Sequence, residues 1–495
     1  MTDTTGAAAS DRPAAPTQED PLVASLSEAI GGPVGERARP HRWWTPARVI
    51  LALAALCFVL GMVQKAPCWS EDWSDGQQRY ARMCYSDMPY LYVGRGFAEL
   101  SWPYSDDDQT RARYEVMEYP VGISYFAWAA AWTTQALHGF PDVVARGSRA
   151  VGDLSADPDI IAERTDYVAV SAVLLGAATL VATWFLIRTH RRRPWDAALF
   201  ALSPVLILNG LINWDLLAVA TVAGALWAWS RDRPVLTGLM IGVGTATKLY
   251  PLFLLGGILV IALRRGVGRA HAGRRRHVWE AFALTTLVAA ASWLLVNLPA
   301  MVTGWSEWKV FWTFNSERGG DLGSIWLVLN QAGQQITADQ INLASWIFFG
   351  CWCLAVLLLG IAAPEDPRLA QLGFLIVAGF LLVNKVYSPQ YVLWLLPLAV
   401  LARPRWRDQL IWQAGEILYF ASVWWYLGGY LQPGSGDQPG FYWIAIGLRI
   451  ACELYLIGIV VRDILRPRHD VVRRYEPACP PGQLPQDRHK ADVLG

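Results

Sequence analysis

Two short stretches set a lysine, a tyrosine and a proline inside otherwise apolar runs: Lys248-Leu249-Tyr250-Pro251 and Lys385-Val386-Tyr387-Ser388-Pro389-Gln390. A lysine ammonium is a point charge suited to phosphate. Each tyrosine adds a hydroxyl and an aromatic face, and Asn384 and Gln390 add amides that can meet sugar hydroxyls. Each proline fits the first turn of a helix, where its missing N–H costs nothing. Both stretches therefore read as a chain break followed by a new helix. The plainer alternative is that each lysine snorkels to lipid headgroups.

Carboxylates supply the complementary chemistry. Segment 66–118 carries Glu71, Asp72, Asp75, Asp87, Glu99, Glu115, Glu118 and the run Asp106-Asp107-Asp108. Taken one at a time, most read as a solvated face, and a bare acidic triplet is a weak signal for a hard cation. Asp87 stands apart because it heads the amphipathic "SDMPYLYVGRGFAE". Tyr90 follows three residues on, on the same helical face, and Arg95 lies two turns later. Glu118, in "EYPVGISYF", stands at the entry of an apolar helix, where a helix N-terminus also favours a carboxylate electrostatically. Asn209 and Asn213-Trp214-Asp215 interrupt two apolar runs. An acid at membrane depth marks a functional site, although Asp215 could equally cap the helix that follows it. Glu307, Lys309, Glu317, Arg318 and Asp321 form a second polar patch among aromatics.

Cations, aromatic platforms, amides and carboxylates together suit a lipid-linked sugar phosphate. The lysines would hold its phosphate, the rings and amides its sugar, and a carboxylate would take the proton of an acceptor hydroxyl. Lipid phosphate is already a reasonable leaving group, so no cofactor is obligatory; a divalent cation is compatible with this chemistry without being required. No CxxC pair has metal-ligand spacing, and no metal site is expected.

The elements that must carry these residues are membrane helices. The chain has 495 residues, 54% of them hydrophobic and only 17% charged, with a mean hydropathy of +0.26. A soluble domain carries about a quarter charged residues. The apolar runs have the length that crosses a core of roughly 30 Å, and the 26 tryptophans suit membrane interfaces. Net charge is +1, and the arginine clusters, such as Arg188–Arg193 and Arg403–Arg407, abut apolar runs. They read as cytoplasmic loops rather than nucleic-acid surfaces.

The predicted fold is thus an all-α polytopic membrane protein of about twelve transmembrane helices. Its first extracytoplasmic loop is long and carries amphipathic helices. Residues 1–46 read as a disordered cytoplasmic tail, 47–461 as the transmembrane domain, and 462–495, with "EPACPPGQLPQDRHK", as a largely disordered cytoplasmic tail. Within the domain, 66–118 and 299–341 are the large extracytoplasmic loops. Two cytoplasmic termini require an even number of crossings. The apolar runs exceed that by one; either 120–137 is re-entrant or the loop Arg188–Arg193 breaks the rule that basic clusters stay inside. Cys68 and Cys84 share the first loop and could pair there.

In order along the chain, "SDMPYLYVG", "EYPV", "SPVLILNGLINWDLLAVATVAGALWAW", "GLMIGVGTATKLYPLFLL" and "NKVYSPQYVLWLLPL" resemble the GT-C glycosyltransferases. More narrowly, they resemble the actinobacterial glycosyltransferase family 87 type. The resemblance implies an inverting enzyme of the cytoplasmic membrane whose active site faces outside. It implies a polyprenyl-phosphate sugar donor, most often mannose, with a cell-envelope glycan or glycolipid as acceptor. It implies Asp87 as base, with Asp72, Asp75 and Glu118 as rivals, because the loop before Asp87 is longer and more acidic than the pattern. It implies Lys248 and Lys385 on the lipid phosphate, with Tyr250, Tyr387 and Gln390 around it. The usual Tyr-Pro-Pro is Tyr119-Pro120-Val121 here. Arabinofuranose on the same lipid is the alternative sugar, and a transporter or flippase for lipid-linked sugars, or a non-catalytic scaffold, the alternative class.

Overall fold

The computed structural model describes residues 20–31, 42–70, 78–267, 272–431 and 440–473. These residues are helical, with no strand among them. The longer helices are α1 (Pro21–Gly31), α2 (Pro46–Lys65), α3 (Val121–Leu137), α4 (Pro158–Thr189), α5 (Leu216–Trp229), α6 (Pro234–Thr247) and α7 (Leu254–Val267). They are followed by α8 (Ala272–Thr303), α9 (Trp305–Glu317), α10 (Ala338–Ala362), α11 (Leu369–Val383), α12 (Val392–Ala402), α13 (Trp406–Leu427) and α14 (Gly440–Leu465).

The chain is an all-α polytopic membrane protein. Hydropathy predicts about twelve crossings, whereas among the described residues five helices are long and apolar enough to cross on their own: Pro46–Cys68, Pro158–Thr189, His277–Thr303, Ala338–Ala362 and Gly440–Leu465. Leu216–Trp229, Pro234–Thr247, Leu369–Val383 and Pro389–Ala402 are apolar but shorter. The difference comes from the polar breaks, which cut apolar runs into half-length pieces. α3, at 17 residues, spans only about 26 Å.

The two lysine-proline stretches share one local form. Lys248 (φ −154°, ψ 146°) and Asn384 (φ −63°, ψ 145°) are extended residues that end α6 and α11. The 3-10 turns Tyr250–Phe253 and Pro389–Tyr391 then start α7 and α12. Irregular backbone at such depth is tolerated only against protein or a wet cavity. α6 packs tightly on α8 because Gly238 and Gly242 are spaced one turn apart: an added Cβ at Gly242 would strike the Ala289 carbonyl and Ser292. That contact fixes the helix leading to the Lys248 break against the middle of α8.

Part of each terminal stretch expected to be disordered is folded. Asp20, ahead of α1, accepts from the Trp406 amide at 2.9 Å. Asp470, beyond α14, is buried and pairs with Arg368 at 3.0 Å. Both are charge anchors that composition conceals. Cys68 and Cys84 form a disulfide.

Candidate active site

Lys248 turns its ammonium inward at the end of α6, where Nζ lies 2.7 Å from Asp215 Oδ1. Asp215 is fully buried at the head of α5. Its amide donates to Asn213 Oδ1 at 3.0 Å, and Trp394 Nε1 donates to its Oδ2 at 2.8 Å. Tyr250 stacks on Trp394 with ring centres 4.8 Å apart, and Tyr391 does so at 4.0 Å. The ammonium also lies 4.8 Å from the centre of the Tyr119 ring, a cation–π arrangement. One carboxylate balances one ammonium here, so an anionic ligand at Lys248 would share it with Asp215.

Asp87 sits on the other side of Tyr119, whose hydroxyl donates to Asp87 Oδ2 at 2.5 Å. Tyr85 donates to the same carboxylate. The Asp87 amide donates to the Ile212 carbonyl at 2.7 Å, and Ser86 Oγ to the same oxygen at 3.2 Å. Desolvation among these rings raises the Asp87 carboxyl above the usual carboxylate value, while the two tyrosine hydrogen bonds and Lys248 pull it back. Burial and the adjacent carboxylate push the Tyr119 phenol well above its ordinary value, so it remains a donor. A carboxyl whose proton affinity is raised by burial, and which two phenols hold in place, is suited to accept a proton.

Tyr119 also lines a narrow cleft, together with Trp293, Trp308, Trp312, Leu249 and Asn297. Trp308 Nε1 donates to Asn297 Oδ1 at 2.9 Å, and α9 stacks Trp305 on Trp308 at 4.9 Å. Leu249 lines the cleft directly after Lys248 in the chain. Residues 154–384 match the family model described as glycosyltransferase family 87. Over that stretch, a little under half of the chain, the protein is similar to that family. The match supports a membrane glycosyltransferase that uses a sugar donor and an acceptor. No curated protein matches the chain at a significant level. The family 87 match covers Asp215, Lys248 and the α8 wall of the cleft, and leaves Asp87 and Trp394 outside it.

The site therefore gathers Asp87, Asp215, Asn213, Lys248 and Tyr250. Tyr90 packs beside it, stacked on Tyr85 at 5.6 Å. Glu118 is paired with Arg95 at 2.8 Å rather than with the Asp87 group. Lys385 is directed elsewhere: Nζ donates to the Asn315 and Ser316 carbonyls at 2.8 and 2.9 Å, capping the end of α9. The Asn384 amide donates to the Val386 carbonyl at 3.0 Å, and Ser388 Oγ donates to Gln390 Oε1 at 2.8 Å. Tyr387 is buried, donates to Glu416 at 3.0 Å and lies under Arg449. Asp72 and Asp75 lie outside the described residues.

Sequence reasoning missed Trp394 and Tyr391, which sit in a run so apolar that any ring there reads as membrane filler. It also gave no individual role to Arg318, whose charge reaches both Tyr391 and Lys385.

Proposed function

We propose that the protein transfers a sugar, mannose before arabinofuranose, from a polyprenyl-phosphate donor to a cell-envelope glycan or glycolipid. We place the reaction at the outer face of the cytoplasmic membrane, in a GT-C-type enzyme. The observation that carries this reading is the meeting at Tyr119 of three features: the Asp87 carboxylate, the Lys248 ammonium and the aromatic cleft.

In this reading the donor phosphate lies at Lys248 and its first isoprene units enter the cleft past Leu249 and Trp308. The acceptor oxygen attacks the anomeric carbon as its proton passes to the Asp87 carboxylate. The bond from the anomeric carbon to the phosphate oxygen breaks, the electron pair leaves with the phosphate, and the lipid phosphate departs. Attack opposite the leaving group inverts the anomeric centre. Tyr119 orients the base, and Asp215 with Trp394 holds the lysine. Positioning and charge neutralisation supply the rate, since the leaving group needs no acid.

The test is a transfer assay on the full chain in nanodiscs, with radiolabelled polyprenyl-phosphate mannose and, separately, the arabinose donor, and an envelope extract as acceptor. Label moving from one donor, and not in Asp87→Asn, supports the reading and names the sugar. Intact protein that moves label from neither donor overturns it and leaves transport or scaffolding to pursue.

A further inference from the structure

We propose that a second aromatic wall, Tyr80, Tyr85, Tyr90 and Trp424, is the subsite for the acceptor's sugar ring. The proposal rests on the transfer reading above. Asp87 is flanked by two tyrosines that both donate to it, Tyr119 and Tyr85. The Tyr119 side leads to Lys248 and the cleft, where the donor lies. Attack with inversion brings the acceptor to the face of the anomeric carbon opposite the phosphate, which leaves it the Tyr85 side of the base.

What stands on that side is a built surface. Tyr85 meets Trp424 at a tilt at 5.1 Å and stacks on Tyr90 at 5.6 Å and Tyr80 at 6.3 Å between ring centres. Tyr90 and Trp424 are buried behind, whereas Tyr80 and Tyr85 stay partly open. Cations brace the rings: Arg79 lies 5.1 Å from the centre of Tyr90, and the buried Lys65 lies 5.9 Å from Trp424. The backbone between Tyr80 and Tyr85 is clasped too. The Met83 carbonyl accepts from Gln64 Nε2 at 2.7 Å and from Lys65 Nζ at 3.2 Å, and Cys84 is disulfide-bonded to Cys68. A rigid surface costs little ordering on binding.

Its chemistry fits a sugar ring better than an acyl chain. The open rings offer flat apolar area to a sugar's C–H face, and their phenols offer hydrogen bonds to its hydroxyls. The Tyr85 hydroxyl reaches the base itself, so a ring stacked there has a hydroxyl beside Asp87.

The experiment uses the full chain in nanodiscs, polyprenyl-phosphate mannose as donor and octyl α-mannoside as acceptor probe. Tyr80→Ala is expected to raise KM for the mannoside about tenfold. Donor KM and the slow hydrolysis of donor should stay within about twofold. Tyr80→Leu keeps bulk without the ring; it should show the same split and controls for misfolding. A rise confined to donor KM, or no change in either constant, overturns the subsite.

Saturation-transfer NMR with mannotriose separates this proposal from the transfer reading. If no donor is turned over, contacts present in the unaltered chain and lost in Tyr80→Leu keep the wall as a sugar site. No saturation transfer to mannotriose in the unaltered chain sinks the wall.

Discussion

The amide of Asp87 donates to the carbonyl of Ile212 at 2.7 Å. This one bond joins the first loop to the bend that carries Asn213 and Asp215, across more than a hundred residues of chain. Asp87 thereby shares a backbone frame with the carboxylate that holds Lys248. The proposed proton acceptor and the proposed phosphate cation are thus positioned by two hydrogen-bonded segments, as a site needing sub-ångström placement requires.

Asp87→Asn should lower transfer by about 10²–10⁴-fold. It should leave the thermal midpoint unchanged or raise it. The sign follows from burial: a carboxyl whose folded pKa is raised costs stability above its unfolded value, and that cost is relieved as pH falls. Activity runs the other way. The ionised base is lost as pH falls through the raised value, so the acid limb of kcat/KM should lie above the ordinary carboxylate range of about 4. Tyr119→Phe removes a hydrogen bond that holds the value down, and should move that limb further up. A pH–rate profile of the two proteins checks this.

Lys248→Met leaves Asp215 buried without its cation and should destabilise by about 3–5 kcal/mol. The double variant Lys248→Met with Asp215→Asn removes both charges and should recover most of that stability. It should not recover transfer if Lys248 holds the donor phosphate as proposed. If the double variant regained activity, the ion pair would be a structural strut and the phosphate would bind elsewhere. Thermal unfolding and initial rates on the three proteins decide it.

The helices, their breaks and the place of Asp87 at the head of a helix were legible in the sequence because each rests on local pattern: apolar length, a proline at a first turn, an acid heading an amphipathic stretch. The pairing of Asp215 with Lys248 was not. Both residues stood out as polar groups in apolar runs, but their contact depends on how α5, α6 and α12 pack. The Lys-Tyr-Pro echo shows the limit most clearly. Lys248 and Lys385 share a local form, yet one ammonium finds Asp215 and the other finds the carbonyls at the end of α9. Nothing within a few residues of either lysine encodes that choice.

Lys385→Ala should therefore act on α9 rather than on the donor. Two backbone carbonyls lose a charged donor at a helix C-terminus, a partly exposed site where the loss is up to about 1 kcal/mol. Donor KM should change by less than about twofold. A tenfold rise in donor KM with an unchanged thermal midpoint would return the lysine to the phosphate site.

Tyr387 is the residue of that echo with structural weight. Its hydroxyl donates to both oxygens of Glu416 at 3.0 Å, and Arg449 lies 3.6 Å above its ring and 3.0 Å from Glu453. Two buried carboxylates thus share one guanidinium, so the cluster carries an excess acid. Glu416→Gln still accepts from Tyr387 and removes that excess, and should be tolerated. Tyr387→Phe strips a buried carboxylate of its donor and should cost about 1.5–3 kcal/mol. The Tyr387 ring also meets Tyr391 edge-on at 6.1 Å, and Tyr391 stacks on Trp394, the partner of Asp215. Loosening Tyr387 should consequently raise donor KM as well, whereas Glu416→Gln should not. Equal losses of stability in both variants would mean that the charge of Glu416, rather than the hydrogen bond it accepts, holds the cluster together.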